Sequence, residues 1–212
     1  TMLEWYRIGF DLPELITELI TLLEQILGEQ VVFETSYQAL FEQHLRVNPH
    51  QVSAELLADL GSKAAGRKLA AMARADWLDL LMSQVVEPKL PAGIAVITDF
   101  PACQAALSQT AINADGDDVA KRFEIYINGV ELANGYLELR DSEELAKRFE
   151  ADRQIRQQQN LATNVGDDYL LAAMQSGLPA CAGVAVGLDR LLMAKTGISN
   201  IGQLLSFPFG NA

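Results

Sequence analysis

The segment from Phe123 to Leu139 alternates residues in a way that could gather carboxylates around cations. On an extended strand, residues of equal parity share a face, so Glu124 and Tyr126 point the same way. Beyond Asn128-Gly129, parity puts Asn134, Tyr136 and Glu138 on a face with Leu132. Glu131 falls on the opposite face unless the hairpin twists or bulges near Gly129. Acidic residues inside a fold are costly unless they are paired or bind cations. Two carboxylates close together across a hairpin repel one another unless a cation sits between them. Mg²⁺ is such a cation, since it takes a few carboxylates and completes its shell with phosphate oxygens. A solvated sheet face bearing Glu124 and Glu131 is the alternative, and these residues alone leave both readings open.

A second pattern lies at Gly183-Val-Ala185-Val-Gly187-Leu-Asp189-Arg190. It reads as a strand running into a helix, with glycines that let a ligand or another backbone approach closely. Arg190 falls in the first helical turn, where the helix dipole offers a cation nothing. A guanidinium held there suits a base to stack on or a phosphate to grip. The alternative is a tight turn with a surface ion pair. Glu4 and Tyr6 share parity on an opening strand, either as part of a site or on a half-exposed edge. His44 and His50 lack metal-ligand spacing and read as surface residues. Cys103 and Cys181 have no histidine near them in sequence and read as buried fillers rather than nucleophiles.

These residues need elements to position them. Thr1 to Arg7 reads as a strand with no lead-in, so the chain is expected to begin inside a fold. Asp11 caps an expected helix over 12–27, with Pro13 in its first turn and Gly28 at its end. Residues 36–45, 51–60 and 67–84 read as further helices, and Gly93 to Phe100 as a buried strand. Residues 113–118 read as a loop. Residues 120–128 and 130–139 form two antiparallel strands around Asn128-Gly129, the dipeptide that tight hairpins favour. Asp141 with Glu144 suggests a capping box for a helix to about 159. A helix at about 166–176, a strand from Gly183 to Leu188 and a helix from Asp189 to Lys195 complete the reading. The class is α+β with an antiparallel sheet.

At 212 residues, half of them apolar, the chain can bury a substantial core as one large or two small domains. No apolar run reaches the roughly 18 residues of a membrane helix. The net charge of −12 argues against a broad nucleic-acid surface, which is usually basic. Two cysteines are too few for a disulfide framework, and no basic, apolar leader opens the chain. The expectation is a reduced, cytoplasmic protein.

Together, Thr1 to Arg7, Glu124 to Leu139 and Gly183 to Met193 resemble the catalytic domain of class II lysyl-tRNA synthetases. The resemblance is closer still to their shortened paralogues, the ligases that place (R)-β-lysine on elongation factor P. It runs along almost the whole chain. Thr1 to Arg7 is similar to the second strand of motif 2, Gly183 to Arg190 to motif 3, and Glu131 to Glu138 to the lysine-specific segment between them. The resemblance implies an antiparallel sheet flanked by helices, with a mostly helical insertion at about 29–90. It implies that Glu4, Tyr6 and Glu138 hold the lysine ammonium, that Asn134 frames the pocket and that Ala185 lies at its floor. Glu124 and Glu131 would hold Mg²⁺ on ATP; Leu132 and Gly187 would line the nucleotide; Arg190 would contact adenine and the γ-phosphate as the catalytic arginine.

Ala185, where the synthetases usually have glycine, and the stretch Phe100-Pro-Ala-Cys-Gln104 point to the paralogue. The implied partners are elongation factor P and lysine or (R)-β-lysine, with no tRNA and no membrane, in a homodimeric parent. The acidic total suits a basic protein substrate. Motif 1 and the first half of motif 2 have no counterpart in the chain, so the chain by itself is expected not to catalyse adenylation. A lysyl-tRNA synthetase core and a non-catalytic fragment that keeps the fold are the other readings.

Overall fold

A computed structural model describes residues 1–158, 160–163 and 167–208. It holds a seven-stranded sheet in the order β1-β7-β6-β5-β3-β2, with β4 on the free stretch of β5. The strands are β1 (Met2–Ile8), β2 (Val32–Ser36), β3 (Ile94–Pro101), β4 (Thr110–Ile112), β5 (Asp118–Ile127), β6 (Val130–Leu137) and β7 (Cys181–Gly187). Every pairing is antiparallel except β2 on β3, which is parallel. The expected α+β architecture is therefore present, with one parallel edge. Neither β2 nor β4 was anticipated, since both are short and carry no alternating pattern.

The helices are α1 (Leu12–Leu27), α2 (Tyr37–Leu45), α3 (Ala54–Ala64), α4 (Arg74–Leu81), α5 (Ser142–Gln158), α6 (Asp168–Gln175) and α7 (Leu188–Thr196). Asp11 caps α1 as expected: its side chain accepts from the Glu14 amide at 2.9 Å, and Glu14 accepts from the Asp11 amide at 2.9 Å. Such reciprocal caps satisfy amides that have no partner inside the helix. At α5 only half of the expected box forms. Asp141 accepts from the amides of Glu143 and Glu144, but the Glu144 carboxylate turns to Arg148 at 3.0 Å. The expected ends at 159 and 166 lie outside the described residues.

The helix expected over 67–84 is shorter, starting at Arg74 as α4, and Gly66 takes a positive φ of 66° just beyond α3. The chain then folds back, with the Leu69 amide on the Ser62 hydroxyl at 3.3 Å, before α4 starts. At its far end, α4 passes into a π-helical turn over Met82–Val86.

The two faces of the sheet bury different helices. Ile94, Val96, Phe123, Ile125, Leu132, Ala133, Val184 and Val186 pack with Leu15, Leu19 and Leu23 of α1 and Leu191 of α7. Ala95, Ile97, Phe100, Ala120 and Tyr126 face the other way, against Tyr37, Phe41, Leu57, Trp77 and Leu78 of α2 to α4. Strand β3 is thus covered on both sides, which is why Ile94-Ala-Val-Ile97 is continuously apolar rather than alternating. Helices α5 and α6 form a small third cluster over Leu139. Helices α2 to α4 cover part of their face of the sheet, and the remainder of that face holds the candidate site.

Candidate active site

The hairpin of β5 and β6 is built around Asn128 and Gly129, with φ values of 50° and 77°. Two successive positive φ values define the tight turn whose twist matches paired strands. From the turn, Tyr126 faces Glu131, then the register shifts, and Ile125 faces Ala133, Glu124 faces Asn134 and Arg122 faces Tyr136. The extra residue is Leu132, the bulge near Gly129 on which the facing of Glu131 depended. Glu131 comes onto the face of Asn134 and Tyr136, while the Leu132 side chain, 3% exposed, is buried with α1. The Leu132 side chain therefore does not face the cleft. Its carbonyl oxygen, 3.6 Å from where a Cβ on Gly187 would stand, is the part near the site.

Strand register extends the same face across four strands. Asn134 lies opposite Ala185, and Tyr136 opposite Gly183; beyond them, Ala185 lies opposite Glu4 and Gly183 opposite Tyr6. These residues, with Glu138, line a pocket of about 210 Å³. All five residues expected at a lysine pocket, Glu4, Tyr6, Asn134, Glu138 and Ala185, are therefore together. A Cβ on Gly183 would stand 2.5 Å from Glu138 Oε1 and 2.6 Å from the Tyr6 ring. The glycine is what lets those two groups meet. Burial pushes the Glu138 carboxyl up to about 7. Among the described residues no lysine or arginine pairs with Glu4 or Glu138.

A larger cleft of about 610 Å³ adjoins this pocket, between the sheet and α4. Its lining includes Asp76, Asp79, Glu87, Arg122, Glu124, Tyr126 and Glu131. Glu124 is buried, and burial raises its carboxyl above the usual range, against the lowering influence of Arg122 and the Tyr126 hydroxyl. The Tyr126 hydroxyl donates to Glu124 Oε2 at 2.7 Å, and Arg122 pairs with Oε1. Burial likewise raises Glu87 and Asp79. Arg190, at the start of α7, donates from Nη1 to the Glu131 carbonyl at 2.7 Å and stands 3.4 Å from its carboxylate. It therefore sits at the rim of the cleft, as an ion pair that the sequence alone left as one of two readings. Gly187, the N-cap of α7, has room for a Cβ among the protein atoms, so no close protein contact requires glycine there.

Arg122, Tyr126, Glu87, Asp79 and Tyr37 were not anticipated as cleft residues. Arg122 had a usable signal, since it shares parity with Glu124 on β5. Tyr126, already placed on the face of Glu124, had the same signal, whereas Glu87, Asp79 and Tyr37 come from elements distant in sequence. His50, expected on the surface, has both ring nitrogens buried without a partner, and Cys103 is exposed whereas Cys181 is buried as expected. No helix among the described residues is long and apolar enough to cross a membrane.

A divalent cation fits this donor set. Among the described residues no three of His, Cys, Asp and Glu stand close enough to hold a metal alone. Glu124 and Glu131 could supply two oxygen ligands, and Mg²⁺ characteristically takes the rest from phosphates and water. The cleft lining holds five carboxylates, Asp76, Asp79, Glu87, Glu124 and Glu131, against Arg122, so a bare polyphosphate would be repelled unless cations accompanied it.

The chain belongs to the class II tRNA synthetase family, matching the description "tRNA synthetases class II (D, K and N)" over residues 19–211. Among curated proteins it is similar to the elongation factor P–(R)-β-lysine ligase of Mannheimia succiniciproducens, 44% identical across 100% of this chain and 65% of that protein. The ligase of the same name from Vibrio vulnificus is 44% identical across 99% of the chain and 65% of its own length. That from Klebsiella pneumoniae subsp. pneumoniae is 40% identical across 100% of the chain and 66% of its own length. The chain thus spans about 65% of the length of the relatives it matches.

Proposed function

We propose that this chain is the lysine-binding and motif 3 part of an ATP-dependent ligase. The ligase activates (R)-β-lysine or lysine as an adenylate and transfers it to a lysine side chain of elongation factor P. The observation that carries this reading is the pocket in which Glu4, Tyr6 and Glu138 converge with no lysine or arginine partner among the described residues, beside a cleft whose charge calls for Mg²⁺ with phosphate. Carboxylates and a phenol oxygen suit a compact ammonium with three donors. The relatives' shared name supports elongation factor P as acceptor, and Ala185 on the pocket floor supports a displaced amino group. Residues 29–90 act as an insertion that supplies the helical wall of the cleft. The parent protein is on this reading a cytoplasmic homodimer that needs no tRNA.

The reaction needs no covalent enzyme intermediate. A substrate carboxylate oxygen attacks the α-phosphorus of ATP, the bond to the bridging oxygen breaks, and pyrophosphate leaves. The acceptor amine then attacks the acyl carbon, loses a proton and forms an amide as AMP departs. When bound, Mg²⁺ neutralises phosphate charge. Glu124 and Glu131 would hold the metal, and Arg190, which bonds Glu131 here, would contact the nucleotide. Glu4, Tyr6 and Glu138 hold the side-chain ammonium, while Asn134 and Ala185 set where the reacting end lies. The contribution is positioning and charge stabilisation.

The test offers the parent protein ATP, Mg²⁺ and lysine or (R)-β-lysine, with elongation factor P and lysine tRNA competing. A lysyl mass gain on the factor with uncharged tRNA supports the ligase. Charged tRNA beside an unmodified factor overturns it in favour of a synthetase.

A further inference from the structure

Arg122 lines the cleft and reaches Asn134, a residue of the pocket. Its Nη2 pairs with Glu124 Oε1 on the cleft side, and its Nε donates to Asn134 Oδ1 at 3.1 Å on the pocket side. Nη1 donates to the Gln104 carbonyl at 2.8 Å. The guanidinium carbon lies 4.6 Å from the centre of the Phe100 ring and 5.9 Å from that of Tyr136. Asn134 in turn donates from Nδ2 to the Tyr136 hydroxyl at 2.8 Å. The Asn134 amide oxygen is therefore oriented from the cleft side, while its NH2 group is held by Tyr136 on the pocket wall. A planar fork fixed by three acceptors cannot turn toward one without moving relative to the others.

We infer that Arg122 is a positioning residue that couples the two cavities, so that occupancy of the cleft by a metal–nucleotide alters the affinity of the pocket for its ammonium ligand. The inference rests on the proposed function. A cation bound by Glu124 competes with Arg122 for the same carboxylate. The guanidinium then settles on Asn134 and the Gln104 carbonyl, and the amide framing the pocket is reset. Linkage requires the reverse effect to be equal in size. Lysine at position 122 would keep a positive charge opposite Glu124. It has no rigid fork with which to hold Asn134 as well.

The experiment measures the dissociation constant of lysine, and separately of (R)-β-lysine, with and without Mg²⁺ and a non-hydrolysable ATP analogue. Unaltered protein is compared with Arg122→Lys, and thermal unfolding checks that the variant is folded. The unaltered protein should show a ratio of constants on the order of fivefold or more, and Arg122→Lys should bring it close to one while both ligands still bind. A ratio near one in the unaltered protein, or an unchanged ratio in Arg122→Lys, overturns the inference and leaves the proposed function standing. Failure of the unaltered protein to bind either ligand overturns both. If Arg122→Lys does not fold, the Arg122 Nε–Hε resonance of the unaltered protein decides. Movement with each ligand added alone supports coupling, and movement with one or neither overturns it.

Discussion

Single side chains at this site answer to burial and to close approach. Burial holds the Glu138 carboxyl at about 7, so the unbound protein is protonated there below that pH. An ammonium ligand needs the ionised form, and binding must then expel a proton. Lysine affinity should therefore fall as pH drops below 7, approaching tenfold per unit, and level off above it. Calorimetric titration between pH 5.5 and 8.5 checks this, and Glu138→Gln should bind weakly with no such slope. Stability carries the opposite pH trend. Because the folded carboxyl titrates above its ordinary value of 4.5, the native state holds more protons than the unfolded one between there and 7. Stability from this group therefore declines as pH rises through that window, and the decline should vanish in Glu138→Gln. Gly183 answers to space: Gly183→Ala drives a methyl into Glu138 and Tyr6. Overpacking of this kind costs about 1–3 kcal/mol, read as a lowered denaturant midpoint together with lost lysine binding.

The hairpin of β5 and β6 decides which residues can meet. Asn128-Gly129 sets the turn, but the Leu132 bulge puts Glu131 beside Glu124 rather than behind the sheet. Bulges re-aim side chains in this way, at the cost of a ladder position. Leu132 also anchors the back face against α1 and α7. Leu132→Ala should cost about 2–5 kcal/mol, the range for emptying a well-packed core position, measured by urea unfolding. The capping box at α1 is a smaller element of the same architecture, and Asp11→Ala should cost about 1 kcal/mol with the site intact. Plain parity would put Glu131 behind the sheet, and the bulge at Leu132 is the exception that the sequence reading left open near Gly129. Nothing in Glu131-Leu-Ala-Asn134 marks the extra residue.

Across the whole molecule, charge governs what can enter. With net charge −12 and five carboxylates lining the cleft, nucleotide binding should depend on divalent metal. Mg²⁺ with ATP at about 100 times its dissociation constant should stabilise the fold by roughly 2.7 kcal/mol by mass action. ATP with EDTA should leave the unfolding temperature unchanged; an equal shift without metal would refute the role given to Glu124 and Glu131. Much of this was legible in the amino-acid order. The Asn128-Gly129 turn, the Asp11 cap and the shared face of Glu124 and Tyr126 follow from local sterics and hydrogen bonding, which act within a few residues of chain. The resemblance located Glu4, Tyr6, Asn134, Glu138 and Ala185, and the folded chain brings them into one pocket. Long-range pairing alone settled the rest: the parallel edge strand β2, the bulge at Leu132, the helical wall carrying Asp79 and Glu87, and Arg122 reaching from the cleft to Asn134. Glu4 and Glu138 meet because β1 pairs with β7 and β7 with β6. Such contacts depend on the register and packing of segments far apart in the chain, where local preference says nothing and the shared burial of both sheet faces decides.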